Sequence, residues 1–593
     1  MASGDLVTRI YGGFRGVDFR GEDVNLMRSP DSLNMWKNYK LQECISTRPS
    51  MRKIQLFISK DNKELKGKIH GIHNYSDTSG IKQFYIHCNN RIYDAGWDYS
   101  GKTSLYLSEY ENFEDSTAKP LEMNNAPSMS FVFDDSLYIK DGKNYYKLSK
   151  GIFSETVKGY VPTTSIGRKP SGGGTLFEDV NMLTGRRKNS FVGDGKSKEY
   201  YLDANGIDSD FTPIVHVNSE LLTFNAYYTV DYVNGKIVFK DDAIPSEPGT
   251  DGRDNVVVEF KKTIAGEREK IEECTLMQVF DNRVFFSGNK KYPNRVWYSS
   301  LDNPEYISDL DYMDEGFDTA AITSMVAGNN ALWVMKEPAT EYTTIFYHTP
   351  TIDAEYGKIY PSVHSNISTG CVGKAINFND DVVFFSPRGM EGIHGDITSE
   401  QVIAHRSSVV DNKLLNEENY NNMLLEEWEG YLLVIIDNKV YLADSRGVYE
   451  NINHIEYEWF YWELEENITC TKVIDGCLYL GTENGLYILD DNVSSVKSHW
   501  TTPKDRFKYP QYMKTTNKRG CVAEASGSYS VSVKTDKSDA FELISSHQDV
   551  DDYSVSRIKR KKFKDIQLKF HSDKRFCLES VTLECFIGGY IKR

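Results

Sequence analysis

Residues with the chemistry to act on a substrate are thinly placed in this sequence. Gly195-Lys196-Ser197 has the ending of a phosphate-cradling loop. The position that must hold that loop's first glycine is Ser190, and the segment lies between strands instead of before a helix, so nucleotide binding is not expected. No Gly-x-Ser-x-Gly elbow is present. His70 and His73 stand too close for a helical pair of metal ligands, and on a strand they are expected to point to opposite faces as structural histidines. Asp309, Asp311 and Asp314 share one loop, and Asp203, Asp208 and Asp210 another; neither set has the spacing of a calcium loop. Carboxylate pairs for glycoside hydrolysis are no signal in a chain with 86 Asp and Glu, because some pair always exists. The repeated Ser-x-Asp-x-Gly-x-Thr-Trp boxes of sialidase-type propellers are missing. No catalytic residue, cofactor or metal is therefore expected.

One charge feature stands against this background. Arg557, Lys559, Arg560, Lys561, Lys562, Lys564, Lys569, Lys574 and Arg575 lie in a short stretch whose only carboxylates are Asp565 and Asp573. Such a run is either a solvated strand pair with lysines guarding a sheet edge or a basic patch that meets an acidic partner subunit or DNA.

The elements that must position these residues are strands. Between Cys274 and Tyr342, short runs rich in Val, Phe, Trp and Tyr alternate with Asp281-Asn282 and Gly288-Asn289 turns. None is long enough to stand as a lone hairpin, so each must pack against more of its kind. The phrase recurs at 69–74, 82–87, 90–94 and 103–107, then at 128–133, 136–140 and 145–148. It returns after residue 270 at 382–385, 431–436, 440–443, 477–480 and 485–489. About seven units near the forty-residue blade length point to a β-propeller over 54–495. Pro170 and Gly172 to Gly174 break the pattern and open an inserted β-sandwich domain at 163–265, with a hairpin turn at Asn234-Gly235. Residues 496–593 read as a C-terminal β-sandwich. Residues 1–53 form an N-terminal arm that packs over a domain edge or docks on a neighbouring subunit; 33–36 in it could be a short helix. The one other helical candidate is 412–426.

The chain has 593 residues, 13% aromatic content with 38 Tyr, and a formal charge of −17. A Tyr-rich composition suits half-buried strands. The acidity argues against a coat bound to phosphates, and fits a surface past which a polyanion slides. No apolar run reaches a membrane span, and the first residues lack the apolar core of a signal peptide. Nine scattered Cys without a CxxC pair are expected to be reduced, in a protein made in a cytoplasm. The sequons at Asn74, Asn366, Asn467 and Asn492 then carry no meaning beyond their polarity.

Several phrases resemble bacteriophage tail-nozzle or tail-hub proteins. They are Gly12-Gly13-Phe14, Arg28-Ser29-Pro30-Asp31, Asn34-Met35 and Arg48-Pro49 at the start. In the middle they are residues 282–288 with Tyr298-Ser299 and Asp302-Asn303-Pro304, and 380–392 with FSPRGMEG inside it. At the end they are Leu583-Glu584-Cys585 and Gly588-Gly589-Tyr590. The stretch 176–262 matches no phrase of that group. The resemblance implies a non-enzymatic virion protein made in the bacterial cytoplasm and placed at the neck or tail. It implies a homo-oligomeric ring, commonly a hexamer, below the portal and adaptor and beside other tail proteins. The ring extends the channel for double-stranded DNA without sequence-specific binding, retains the packaged DNA and takes part in ejection. Candidate subunit or DNA contacts are Arg28, Arg48, Arg557, Lys559, Arg560, Lys561, Lys562 and Lys564. The alternatives are a receptor-binding or decorating virion protein, a propeller enzyme acting on polysaccharide, and a cellular propeller scaffold.

Overall fold

Six hairpins set the architecture. Each joins two strands through two residues that both take positive φ: Asp134-Asp135, Asp281-Asn282, Asn329-Asn330, Asn379-Asp380, Glu429-Gly430 and Asp475-Gly476. Turns of this kind match the right-handed twist of the strands they join, and Asn, Asp and Gly are the residues that enter them at least cost. The first five each open a four-stranded antiparallel sheet, and the sixth opens one that runs on into a nine-stranded sheet.

The computed structural model describes residues 5–590 apart from 22–23, 42–43, 61, 77–79, 81, 98–103, 110, 113–118, 150–151, 155–156, 250–252, 340–342, 355–356, 365–368, 395–401, 447–456 and 491–494. The sequence readings at Thr103, Asn366, Asn492 and Ile591 fall outside the described residues.

The fold is an all-β propeller of seven blades. The inner strands, in ring order, are Ile69–Ser76, Met129–Phe133, Leu276–Phe280, Ile322–Gly328, Ala375–Phe378, Leu424–Trp428 and Ile468–Ile474. The last of these packs back against the first, which closes the ring. Closure is also built into the seventh blade. Its strands Ile468–Ile474, Cys477–Thr482 and Gly485–Asp490 take their fourth from Ser50–Ile58, more than four hundred residues earlier. Strand Ser104–Glu109 of the first blade then pairs in parallel with the far side of Ser50–Ile58. Between blades the cores are aromatic: Tyr138, Tyr145, Phe286 and Trp297 fill the space between the second and third. Two buried lysines end the second strands of blades two and four. Lys140 donates to the carbonyls of Ile271 (2.6 Å) and Glu272 (3.0 Å), and Lys336 to that of Glu315 (2.6 Å). Lys140 thereby satisfies carbonyls of the chain entering the third blade, and Lys336 one of the chain leaving it.

The inserted region leaves after the second blade. It forms a six-stranded and a three-stranded sheet around its own core of Phe191, Tyr200, Tyr228, Phe239, Val258 and Phe260. At the other end, an eleven-stranded sheet folds back on itself as two layers. Its long strand Tyr512–Thr535 serves both, pairing with Phe576–Tyr590 in its first half and with Ile566–Ser572 and Glu542–Val550 in its second. Gly527, at φ +95°, marks the crossing between them.

The arm belongs to this sheet. Leu6–Gly12 pairs along residues 580–586, and Ile45–Thr47 pairs with the same strand. Residues 33–36 are not helix: Leu33 ends strand Ser32–Leu33 and Met35 opens strand Met35–Lys37, with Asn34 at φ +57° between them. Met35 and Trp36 are buried there, and Trp36 stacks on Trp428 at 5.5 Å. The helix expected at 412–426 is confined to Asp411–Leu414. The sixth blade takes Leu424–Trp428 for its inner strand, because a blade without that strand would leave its second strand unpaired. The cysteines depart from expectation too. Cys44 and Cys577 are joined as a disulfide with Cα atoms 6.2 Å apart, which fastens the arm to the C-terminal sheet.

Candidate functional site

The basic run lies along the edge of the C-terminal sheet. Strand Tyr553–Ser556 pairs with Cys521 to Glu524; the chain then runs irregularly over 557–561 and regains pairing as strand Lys562–Phe563 against Lys514 and Thr515. Thr516 holds it there: its N–H donates to the Lys561 carbonyl at 3.0 Å, and its hydroxyl accepts the Lys561 N–H at 2.9 Å. Arg557, Lys559, Arg560, Lys562 and Lys564 are exposed. Lys561 is half-buried and pairs with Glu542. The pairing also brings in two exposed cations that the sequence reading left out, Lys518 and Arg519, on the bend just before Gly520. The contiguous basic surface is therefore wider than the run. Gly520 is required at this approach: at φ +74° a Cβ would stand 1.9 Å from the Ser556 carbonyl oxygen. The rest of the run separates from it. Lys569 lies in strand Ile566–Ser572 and binds Asp31 at 2.9 Å.

Of the two arm arginines, Arg48 is not a surface contact at all. It is fully buried, and donates to the Asn34 side chain (2.9 Å), the carbonyls of Pro49 (2.8 Å) and Glu463 (2.9 Å), and the Glu465 carboxylate (2.8 Å). A planar guanidinium fits that many acceptors at once, so this residue ties the arm to the end of the sixth blade. Arg28 is half-buried near Asp18 and Glu458, whose carboxyl groups feel its charge.

Inside the propeller, His70 and His73 do not face opposite ways. A bulge between Ile69 and Gly71 shifts the register by one residue and brings both onto the side of His87. His73 bonds Ser130 and Ser128 at 2.9 Å each, His87 bonds Ser128 and the Asn89 carbonyl at 2.9 Å, and His70 bonds Asn125 at 2.7 Å. Burial holds the imidazoles of His73 and His87 well below the ordinary value, at about 3 and about 4. These are neutral, hydrogen-bonded structural histidines between the first and second blades.

Around the axis, the seven inner strands carry two carboxylates between them, Glu426 and Glu427, adjacent on one strand. Burial raises the pKa of Glu426, Lys472 lowers it, and Thr471 donates to it at 3.1 Å. Hydrolysis of a glycosidic bond needs two carboxyl groups facing each other across it, and neighbours on a strand point to opposite faces.

The acidic loops are likewise committed within the chain. Asp314 takes both nitrogens of Arg295 at 2.7 and 2.8 Å, Asp210 pairs with Lys261 at 2.6 Å, and Asp208 accepts from Thr263. Asp311 is buried enough for its carboxyl to be pushed up to about 6. Among the described residues no group of three His, Cys, Asp or Glu is placed to hold a metal ion. Lys196 and Ser197 give their N–H groups to Asp194 at 2.9 and 2.7 Å, so that turn cradles its own carboxylate. No described helix is long and apolar enough to cross a membrane.

No family model matches the chain, and no curated protein matches its sequence. Solved structures align with it at low similarity. The BamB protein of Moraxella catarrhalis is 10% identical with a TM-score of 0.29, covering 77% of this chain and 92% of its own. An ancestral GH74 enzyme is 10% identical with a TM-score of 0.24, covering 71% and 56%. An exo-β-1,3-galactanase of Phanerochaete chrysosporium is 8% identical with a TM-score of 0.21, covering 52% and 94%. At such scores the superpositions say nothing about what this chain binds or turns over.

Proposed function

We propose that this is a structural protein of a bacteriophage particle, placed at the neck or tail. It forms a homo-oligomeric ring below the portal and adaptor that extends the DNA channel, retains the packaged genome and takes part in ejection. The observation that carries the reading is the exposed basic strip formed by Lys518, Arg519, Arg557, Lys559, Arg560, Lys562 and Lys564 on a chain of formal charge −17. A ring closed by rotation uses two different patches on each copy, and unlike charge on the two is a direct way to set their order. With its cations concentrated there, the remaining surface is more acidic than the average suggests, so duplex DNA passes it without adhering. The phrases shared with tail-nozzle proteins support the same reading.

Mass photometry and negative-stain imaging test it, on the protein alone and with its adaptor. Rings with an axial hole wide enough for a duplex, about 20 Å or more, are expected. The Lys559→Glu, Arg560→Glu variant should shift them to monomers at unchanged melting temperature, since both side chains are exposed. A wild-type protein that stays monomeric in the presence of the adaptor would overturn the proposal.

A further inference from the structure

One face of the C-terminal sheet carries a groove of about 830 Å³. Four adjacent strands build it, and their pairing sets side chains abreast. One row is His499, His571, Ser530 and Ser546. The next is Lys569, Ser532 and Leu543; Thr501, abreast of Lys569 by pairing, is buried and does not line the groove. Neighbouring strands are about 4.8 Å apart, so the first row runs about 14 Å and the second about 10 Å. Lys497, Gln548 and Asp573 line the same groove.

The groups are held in place. Ser532 and the His571 Nε2 are 3.1 Å apart, and Ser530 and Ser546 bond at 2.8 Å. Asp31 fixes both His499 (3.0 Å) and Lys569 (2.9 Å). Burial and the neighbouring Lys569 and His499 lower the pKa of the His571 imidazole below its ordinary value, while Asp573 raises it. Phe541 and the exposed Leu543 form an apolar lip at one side.

We propose that this groove binds an oligosaccharide. Its three lysines, Lys497, Lys569 and Lys574, are set against Asp573 in the groove and Asp31 on Lys569, which leaves a single net positive charge, too little to select a polyanion. What it offers instead is a dense array of hydroxyl, imidazole and amide groups that both donate and accept, beside an apolar edge. A sugar chain has the matching character: hydroxyls around each ring and C–H surfaces on its faces. The proposal stands independently of ring assembly, and would give the C-terminal sheet a role in contacting surface glycans.

Full-length protein is first screened on an array of bacterial-surface oligosaccharides. The hits are then titrated by calorimetry, with maltoheptaose and tetra-N-acetylchitotetraose as defined probes. At least one saccharide is expected to bind, at least tenfold more weakly to Ser530→Trp, which fills the groove from its outer face, and to His571→Ala. Should either variant melt early, Lys497→Ala and Gln548→Ala, at exposed positions, test the same contacts. Absence of any saccharide binding would overturn the proposal. So would binding unchanged in all folded variants. Binding of dextran sulfate alone, falling with salt, would assign the face to polyanions and overturn it as well.

Discussion

The three histidines between the first two blades make stability depend on pH in a definite direction. Unfolded imidazole titrates near 6.5, while His73 and His87 in the fold are held at about 3 and about 4 by burial. The folded values lie below the unfolded one, so on acidification the unfolded chain takes up protons first. The stabilisation from the neutral rings is whole above about pH 6.5, and is lost as pH falls from there toward the folded values. The nearby charges do not reverse this: Lys472 and Lys68 oppose protonation of His73 and His70, and Asp141 only partly favours that of His87. Between pH 7 and 5 the two rings together should cost on the order of 3 kcal/mol. The melting temperature should therefore fall over that range, and fall less in His73→Gln, His87→Gln, whose amides keep hydrogen bonds without titrating. An equal fall in both proteins would show that the acid sensitivity lies elsewhere.

At the scale of elements, the two-residue turns are the part of the fold most plainly written in the sequence. Asp, Asn and Gly there act locally, through backbone conformation, so each turn can be read without its partners. At Asn330, with φ +58° and an exposed side chain, the demand is separable from packing. Asn330→Val should cost about 1–2 kcal/mol, the price of a left-handed conformation for a β-branched residue, whereas Asn330→Gly should be neutral or slightly stabilising. Denaturant midpoints of the two variants measure this; equal midpoints would mean that the turn does not fix the hairpin. What could not be read locally follows the opposite rule. The 412–426 segment has a helical texture, but Leu424–Trp428 is claimed by pairing with Tyr431–Ile436. The bulge that turns His70 toward His87 depends on the register of a neighbouring strand. Lys518 and Arg519 join the basic strip only because Cys521 to Glu524 pairs with Tyr553–Ser556. In each case the deciding partner is on another strand.

The arm shows the same limit across the whole molecule, since its partners lie more than four hundred residues away. The sequence points to an arm that packs over an edge or docks on a subunit, but nothing in residues 1–53 names the strand that Leu6–Gly12 joins. In place, it bridges two bodies of the chain. Tyr11 and Arg9 bind Asp505 at 2.9 and 2.6 Å, Phe14 meets Trp500 edge-on at 5.1 Å, and Trp36 lies among Trp428, Tyr431 and Trp462 of the sixth blade. Tyr11, Phe14, Met35, Trp36 and Ile45 are all buried in one core with residues of the propeller and the C-terminal sheet. At about 1.5–3 kcal/mol for each fully buried side chain, removing these five would withdraw on the order of 10 kcal/mol, comparable to the whole stability of a typical domain. Asp505 would also be left as a buried carboxylate without Arg9. Deleting residues 1–49 should therefore unfold the C-terminal sheet and make the chain aggregate, while the inserted region, with its separate core, keeps its protection in hydrogen exchange. Size-exclusion chromatography and exchange measurements on the truncated chain distinguish the outcomes. A soluble, monodisperse product with an unchanged melt would make the arm an appendage and return it to the subunit interface as its place of action.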